Sequence, residues 1–151
     1  MDDLRELYQA TILGHNKKPR NFRVIEDASH EADGHNPLCG DQLTLYAKVD
    51  DEGRLADVAF QGSGCAISKA SASLMTDFVK GKTHDEIGGD FDRFHDLVTS
   101  SPSDASETEG LGKLAVFAGV REYPMRVKCA TLAWHALRAA LEGDQQPAKT
   151  E

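Results

Sequence analysis

Hydrophobic and polar residues follow two different periods in the first half of the chain. Apolar residues recur every three to four positions over residues 4–12, which predicts an amphipathic helix that ends near Gly14. Residues 42–49 instead alternate strictly between apolar and polar side chains, and a second strand is predicted over residues 55–61, after an acidic turn that contains glycine. The two runs predict a β-hairpin.

The segments on either side of this hairpin differ in character. Residues 26–38 are polar and contain breakers such as Gly34, so their own pattern indicates an exposed loop or a weak edge strand. After the hairpin, the glycine-rich residues 62–65 allow a tight turn into a new helix, and Cys65 lies where that helix begins. The apolar stripe over residues 67–78 is rich in Ala and Ser, which predicts close packing against the hairpin.

A further helix is predicted in the second half of the chain. Thr83 and Glu86 have the spacing of a capping box, and apolar residues over 91–98 outline the helix itself. The glycine pair at 88–89 is expected to interrupt it. Residues 100–110 are rich in Ser, Asp and Glu, which is typical of a solvated loop.

The last part of the chain is predicted to be one long helix. It starts after Pro124, carries Cys129 in its first turns and ends at Gly143. Residues 144–151 are polar and are expected to form a disordered tail. We therefore expect one domain over residues 1–143.

Length and charge support a single acidic domain. The chain has 151 residues, and 17 Lys and Arg against 25 Asp and Glu give a net charge of -8. Such a charge disfavours nucleic acid and anionic membranes as partners and favours a protein with a basic patch. Because the sequence has no membrane span and begins with a polar, acidic segment, we expect a cytoplasmic protein.

The three cysteines, Cys39, Cys65 and Cys129, carry the candidate chemistry. An odd and sparse set of cysteines suits reduced thiols better than a disulfide framework. Cys39 lies in a polar, glycine-flanked loop, and the other two lie at or near helix starts. Helix N-termini favour thiolates, and Arg126 and Lys128 beside Cys129 act in the same direction.

Three thiolates and one further ligand would complete a tetrahedral zinc site. Asp41, two residues after Cys39, is the nearest candidate for the fourth ligand, and His35 is an alternative. Each residue also has an ordinary explanation: the cysteines as buried small side chains, Asp41 as a turn residue, and His35 and His135 as surface histidines. The cysteine spacings match no compact metal knuckle, so spacing alone does not predict the site.

Three segments together resemble the cysteine motifs of the IscU/NifU N-terminal family, and the similarity extends over nearly the whole chain. These segments are Asn-Pro-Leu-Cys-Gly-Asp at 36–41, Phe-Gln-Gly-Ser-Gly-Cys-Ala-Ile-Ser with Ala-Ser-Ala-Ser at 60–73, and Arg-Val-Lys-Cys-Ala-Thr-Leu-Ala-Trp at 126–134. The resemblance implies an α+β fold, in which helices cover a small antiparallel sheet of about three strands. Residues 26–38 would supply its first strand.

Two features are similar to the SufU branch of that family: the long segment between the second and third cysteines, and Lys128 where IscU-type scaffolds have histidine. This resemblance implies that the chain accepts sulfur from a SufS-type cysteine desulfurase and passes it to downstream iron–sulfur assembly proteins. It also implies a Zn²⁺ ion with four ligands, namely Cys39, Asp41, Cys65 and Cys129.

The leading hypothesis is a zinc-dependent sulfurtransferase. In it Cys39 is the nucleophile that takes the terminal sulfur of a desulfurase persulfide, and Arg126 orients the loop or balances its charge. The alternative is a scaffold that assembles a [2Fe-2S] cluster on the same cysteines. Lys128 argues against the scaffold, because an ammonium group is a poor cluster ligand and Asp41 would have to serve instead. A purely structural zinc domain is a third hypothesis.

Overall fold

Three antiparallel strands form the main part of the sheet, as the resemblance implied. β1 (His30–Asn36) pairs with β2 (Asp41–Val49), and β2 pairs on its other side with β3 (Leu55–Ser63). The computed structural model describes residues 2–36, 40–99, 114, 117, 124–142 and 148–149. The predicted hairpin is β2 and β3, and the expected α+β class is confirmed.

Four helices accompany the sheet in the described part of the chain. α1 (Asp2–Lys17) packs on α2 (Ala66–Val79), and α3 (His84–Thr99) packs on α4 (Pro124–Glu142). α4 also lies against α2, β1 and β2. In the described part of the chain, no helix combines the length and apolar character that crossing a bilayer requires.

The core lies where α4 crosses the sheet. Leu45 and Val58 from the strands are completely buried, as is Leu137 from α4. Trp134 of α4 stacks on Phe94 of α3 with ring centroids 5.1 Å apart. Because burial of large apolar side chains is the main stabilising contribution to folding, this packing holds α4, and Cys129 on it, in a defined place over the sheet.

The polar segment before the hairpin is a strand. β1 alternates in burial, with Ala32, Gly34 and Asn36 facing the interior. A Cβ atom at Gly34 would lie 3.2 Å from Leu132 and 3.3 Å from Ala136, so the missing side chain lets α4 approach β1 closely. Gly34 therefore permits helix packing and does not break the strand, which explains why the sequence pattern alone was weak here.

The interruption expected at Gly88 and Gly89 is wrong, because α3 runs continuously through both. The capping box is confirmed at its start: the Thr83 backbone N–H donates to Glu86 Oε1, and the Glu86 N–H donates to Thr83 Oγ1, each at 3.2 Å. Both glycines are exposed, so their cost is only conformational, and the buried apolar face of α3 outweighs it.

The tail also differs from expectation at two residues. Ala148 and Lys149 form a short strand, β4, which pairs in parallel with Gly34 and His35 at the open edge of β1. Strand pairing uses main-chain groups, so the polar composition of the tail did not predict β4. The rest of residues 144–151, and the predicted loop over 100–110, lie outside the described residues.

His135 lies half-buried in α4, whereas its position predicted exposure to solvent. Its ring meets the ring of Phe91 edge-on, with centroids 5.1 Å apart. Burial lowers the pKa of His135, and the nearby His95 and Arg138 lower it further. The folded state thus favours the neutral imidazole.

This shift predicts a pH dependence of stability. The folded pKa of His135 lies below the ordinary value of 6.5, so the unfolded chain takes up the proton first as the pH falls. The stabilisation is complete above about pH 6.5 and is lost below it. We expect the substitution His135→Gln to reduce this loss by a few tenths of a kcal/mol, since the group is partly exposed.

Urea unfolding at pH 8 and pH 5.5 measures this effect. The free energy of unfolding of the wild type should fall more between the two pH values than that of the variant. An equal fall in both proteins would contradict the assignment.

Candidate metal centre

Three of the predicted ligands lie side by side at one end of the sheet. Asp41 is the first residue of β2, Cys65 is the N-cap of α2, and Cys129 lies in the second turn of α4. Their ligand atoms are all within 4.8 Å of one another. Elements far apart in sequence thus bring together one carboxylate and two thiols. Their role as metal ligands stays a prediction.

Strand register explains why these ends meet. Asp41 pairs with Asn36 at the end of β1, and the next residue, Gln42, pairs with Ser63 at the end of β3. The chain leaves β3 at that point, and Cys65 follows two residues later. The start of α2 is therefore placed beside the start of β2.

Asp41 is completely buried and holds this junction together. Its Oδ1 accepts a hydrogen bond from the backbone N–H of Cys65 at 2.8 Å, and its Oδ2 lies 3.9 Å from Sγ of Cys65. A Cβ atom on Gly64 would come within 2.6 Å of that Oδ1. Glycine at position 64 is therefore what leaves room for the carboxylate.

The surroundings of Cys65 stabilise its thiolate form. As N-cap, its Sγ accepts a hydrogen bond from the backbone N–H of Ser68 at 3.4 Å. A hydrogen bond from the Cys129 thiol is the largest influence and lowers the pKa of Cys65 to about 7, aided by the N–H groups of Ser68 and Ile67. Burial and the charge of Asp41 oppose this shift. The surroundings of Cys65 thus favour its thiolate form more than water does.

Asn36 is a member of the site that sequence analysis did not single out. Its side chain is completely buried, and Nδ2 donates to Oδ2 of Asp41 at 3.4 Å and to Sγ of Cys129 at 3.6 Å. The available signal was its place directly before the Pro-Leu-Cys-Gly-Asp segment. A polar residue at a strand end, however, is usually interpreted as part of a turn.

Cys39 lies outside the described residues, together with its neighbours Pro37 and Leu38. The described residues on either side are close together, because the Gly40 N–H donates to the Asn36 carbonyl oxygen at 2.9 Å. Asn36 and Gly40, the described residues that flank this segment in the sequence, are thus joined by a hydrogen bond beside Asp41.

The other candidate residues take different places. Arg126 is exposed on α4, three residues before Cys129, and Lys128 is half-buried. His35 lies in β1 opposite Gln42, and neither it nor His135 belongs to the group of potential ligands found among the described residues. A direct ligand role for His35 is therefore not supported, and the role of Arg126 stays a prediction.

The donor set fits zinc. Zinc prefers thiolate and carboxylate or imidazole ligands in a tetrahedron, with bonds of about 2.0–2.3 Å, so its ligand atoms are about 3.3–3.8 Å apart. The three groups lie within 4.8 Å, which small side-chain movements would bring into that range. Two sulfurs and one oxygen leave one position for a fourth ligand. The same thiolates also suit iron–sulfur clusters.

Comparison with known proteins identifies the family. Residues 7–130 match the family described as NifU-like N terminal domain. The chain is 38% identical over 142 residues to the iron–sulfur cluster assembly scaffold protein IscU of Streptococcus pyogenes, covering 94% of this chain and 87% of that protein. It is also 38% identical over 143 residues to the zinc-dependent sulfurtransferase SufU of Bacillus subtilis, covering 95% of each.

A solved structure supports the same relationship. The crystal structure of SufU from Fervidobacterium islandicum, described as an iron–sulfur cluster assembly scaffold protein for the SUF system, superimposes with a TM-score of 0.80 at 35% identity. The match covers 90% of this chain and 97% of that one. Sequence and fold therefore agree that this chain belongs to the NifU-like N-terminal domain family, which comprises the IscU and SufU iron–sulfur cluster assembly proteins.

Proposed function

We propose that this protein is a zinc-dependent sulfur acceptor for a SufS-type cysteine desulfurase. The observation that carries the proposal is the convergence of Asp41, Cys65 and Cys129, with ligand atoms within 4.8 Å, where Asp41 is two residues from Cys39 in the sequence. The similarity to a SufU along its whole length supports it.

In this proposal Cys39 is the fourth zinc ligand. Two peptide units separate it from Asp41, and two units span at most about 7 Å, so the covalent chain keeps Cys39 near the other three groups. Bound zinc would keep the thiols deprotonated at neutral pH. The positive charges of Arg126 and Lys128 would partly offset the negative charge of three thiolates and one carboxylate.

The transfer step is a thiol–persulfide exchange. The Cys39 thiolate attacks the outer sulfur of a cysteine persulfide on the desulfurase, forming a new S–S bond. The S–S bond of the donor breaks, and the donor cysteine leaves as a thiolate. One sulfur atom moves without net oxidation or reduction, and Cys39 then carries the persulfide to a downstream iron–sulfur assembly protein. Arg126, exposed on α4, orients the loop that contains Cys39 or balances its charge.

The proposal also includes the cellular compartment and the charge of the partner surface. Three thiols that must stay reduced suit the cytoplasm, where thiol pools keep cysteines reduced. The net charge of -8 favours a desulfurase surface that carries a basic patch.

A cluster scaffold is the second candidate function. It is favoured by the IscU of Streptococcus pyogenes, which is as similar in percentage identity as the SufU of Bacillus subtilis. Lys128 weighs against it, because its ammonium group offers no lone pair to iron at neutral pH. Metal analysis of protein purified without oxygen separates the two: one zinc and no visible colour supports transfer, and a brown protein with iron and inorganic sulfide supports the scaffold.

Sulfur transfer to a specific cysteine is the central prediction. When the zinc-loaded protein is mixed with a SufS-type desulfurase and cysteine, we expect one added sulfur on Cys39, located by intact mass and peptide mapping. Cys39→Ser should abolish the added sulfur, because it removes the nucleophile. Cys65→Ser is the matched control, because it removes a predicted zinc ligand and leaves the nucleophile in place. Its main effect should be weaker zinc binding. Sulfur on Cys65 or Cys129 in the wild type, or on no residue with a competent desulfurase, would reject the proposal.

Gly64→Ala is predicted to disrupt the metal site. The new Cβ would lie 2.6 Å from Oδ1 of Asp41, so the buried carboxylate must move and lose its bond to the Cys65 N–H. We expect zinc affinity to fall at least about 10-fold, and the free energy of unfolding to fall by about 1–3 kcal/mol. Chelator competition and urea unfolding measure the two effects.

Gly89→Ala is the matched control for this substitution. Gly89 lies exposed in α3, and a Cβ added there would have no atom within 4 Å, so alanine should stabilise the protein by roughly 0.5–1 kcal/mol and leave zinc affinity unchanged. Wild-type zinc affinity in Gly64→Ala would contradict the prediction for Asp41.

A further inference from the structure

Asn36 places a buried carboxamide directly against the candidate ligands. Its Nδ2 lies 3.4 Å from Oδ2 of Asp41 and 3.6 Å from Sγ of Cys129. A carboxamide nitrogen carries two N–H donors, and the two acceptors here are a carboxylate and a thiol sulfur. Burying an amide is costly unless it is hydrogen-bonded, so these contacts stabilise its position inside the protein.

The main chain of Asn36 also belongs to the site. Its carbonyl oxygen accepts the Gly40 N–H at 2.9 Å, and the residue pairs with Asp41 across the β1–β2 ladder. One residue therefore closes the link that carries Cys39 and contacts two of the ligands. Movement of Asn36 would disturb the hydrogen bond with Gly40 and the contacts with Asp41 and Cys129.

The sulfurs of Cys65 and Cys129 receive their N–H donors from different sources. Cys65 is an N-cap, so its sulfur accepts from the free N–H of Ser68 at the start of α2. Cys129 lies inside α4, where the backbone N–H groups already bond within the helix. Asn36 supplies the donor from β1. An N–H group that donates to a thiolate withdraws negative charge from the sulfur and makes it a weaker nucleophile.

We propose that Asn36 is a positioning residue of the metal centre. Its carboxamide sets the relative position of Asp41 and Cys129, and its N–H group keeps the Cys129 sulfur as a retained ligand of low nucleophilicity. This inference rests on the zinc site of the proposed function and does not require that sulfur transfer take place.

Asn36→Leu tests this role, because leucine has nearly the same shape and no donor. We expect zinc affinity, measured by chelator competition, to fall about 10–100-fold. In the cobalt-substituted protein, the thiolate-to-metal charge-transfer band should move to lower energy, since a sulfur without its N–H partner is richer in electrons. Asn36→Ala, which removes the whole carboxamide, should shift both readouts in the same direction and serves if the leucine variant fails to fold.

Asn21→Ala is the control for general destabilisation. Asn21 donates to Thr76 and Asp77, each at 3.0 Å. Thr76 lies eleven residues along α2 from Cys65, or about 16 Å along the helix axis. This variant should lose stability and keep both the zinc affinity and the cobalt spectrum of the wild type.

The outcomes separate this inference from the proposed function. Wild-type zinc affinity together with an unchanged charge-transfer band in Asn36→Leu or Asn36→Ala would overturn the role of Asn36. A wild-type protein that binds no zinc would overturn it together with the metal site. Zinc binding with the predicted changes, but no sulfur on Cys39, would support the role of Asn36 and reject only the transfer reaction.

Discussion

The buried carboxylate of Asp41 is the interaction on which the arrangement of the site depends. A carboxylate that is completely shielded from water is strongly unfavourable unless hydrogen bonds or a cation compensate for its lost hydration. Its Oδ1 accepts the Cys65 N–H, and its Oδ2 faces the Asn36 carboxamide. Because those partners belong to the start of α2 and the end of β1, satisfying one charge requires that three chain segments meet.

Charge explains why this junction is suited to a cation. Asp41 and the thiolate form of Cys65 lie close together, and the charge of Asp41 raises the pKa of Cys65 even though hydrogen bonds lower it overall. The hydrogen bond from Cys129 relieves this repulsion while Cys129 keeps its proton. A divalent cation would replace that proton and offset two of the three negative charges that the groups then carry. Polar groups that oppose one another without a cation, and cooperate with one, are typical of a metal centre.

The sequence predicted most elements because local patterns decide them. The alternation over residues 42–49, the capping box at Thr83 and the start of the last helix at Pro124 depend on neighbours in the chain, and the structure has all three. The sequence signal for the first strand, β1, was weak because this strand is stabilised by pairing with β2 and by the close approach of α4 at Gly34. α3 continued through a glycine pair because its buried face outweighs the propensity of two exposed residues.

The candidate site, too, could be predicted from the sequence only in part. Residue chemistry and the family resemblance pointed to Asp41, Cys65 and Cys129, which the structure brings together. Asn36 could not be found in this way, since its importance comes from a side-chain direction that only the ladder with β2 determines. Histidines were given weight for their chemistry, yet His35 lies outside the group of potential ligands and His135 packs on Phe91. Patterns identify reactive residue types, but register decides which of them meet.

The cysteines also differ in burial, and this difference limits the role that each can have. Cys129 is only 3% exposed and lies in a helix that packs on the sheet, so its sulfur is shielded from a large partner. Cys65 is more accessible, but its sulfur is engaged by the first turn of α2 and by Cys129. Cys39 belongs by sequence to the short link between β1 and β2, outside the helices that hold the other two sulfurs. A cysteine that must collect sulfur from another protein needs access, and a cysteine that must retain a metal needs rigidity. The fold holds Cys65 at the start of α2 and Cys129 within α4, and for this reason the proposed function gives the sulfur-accepting role to Cys39.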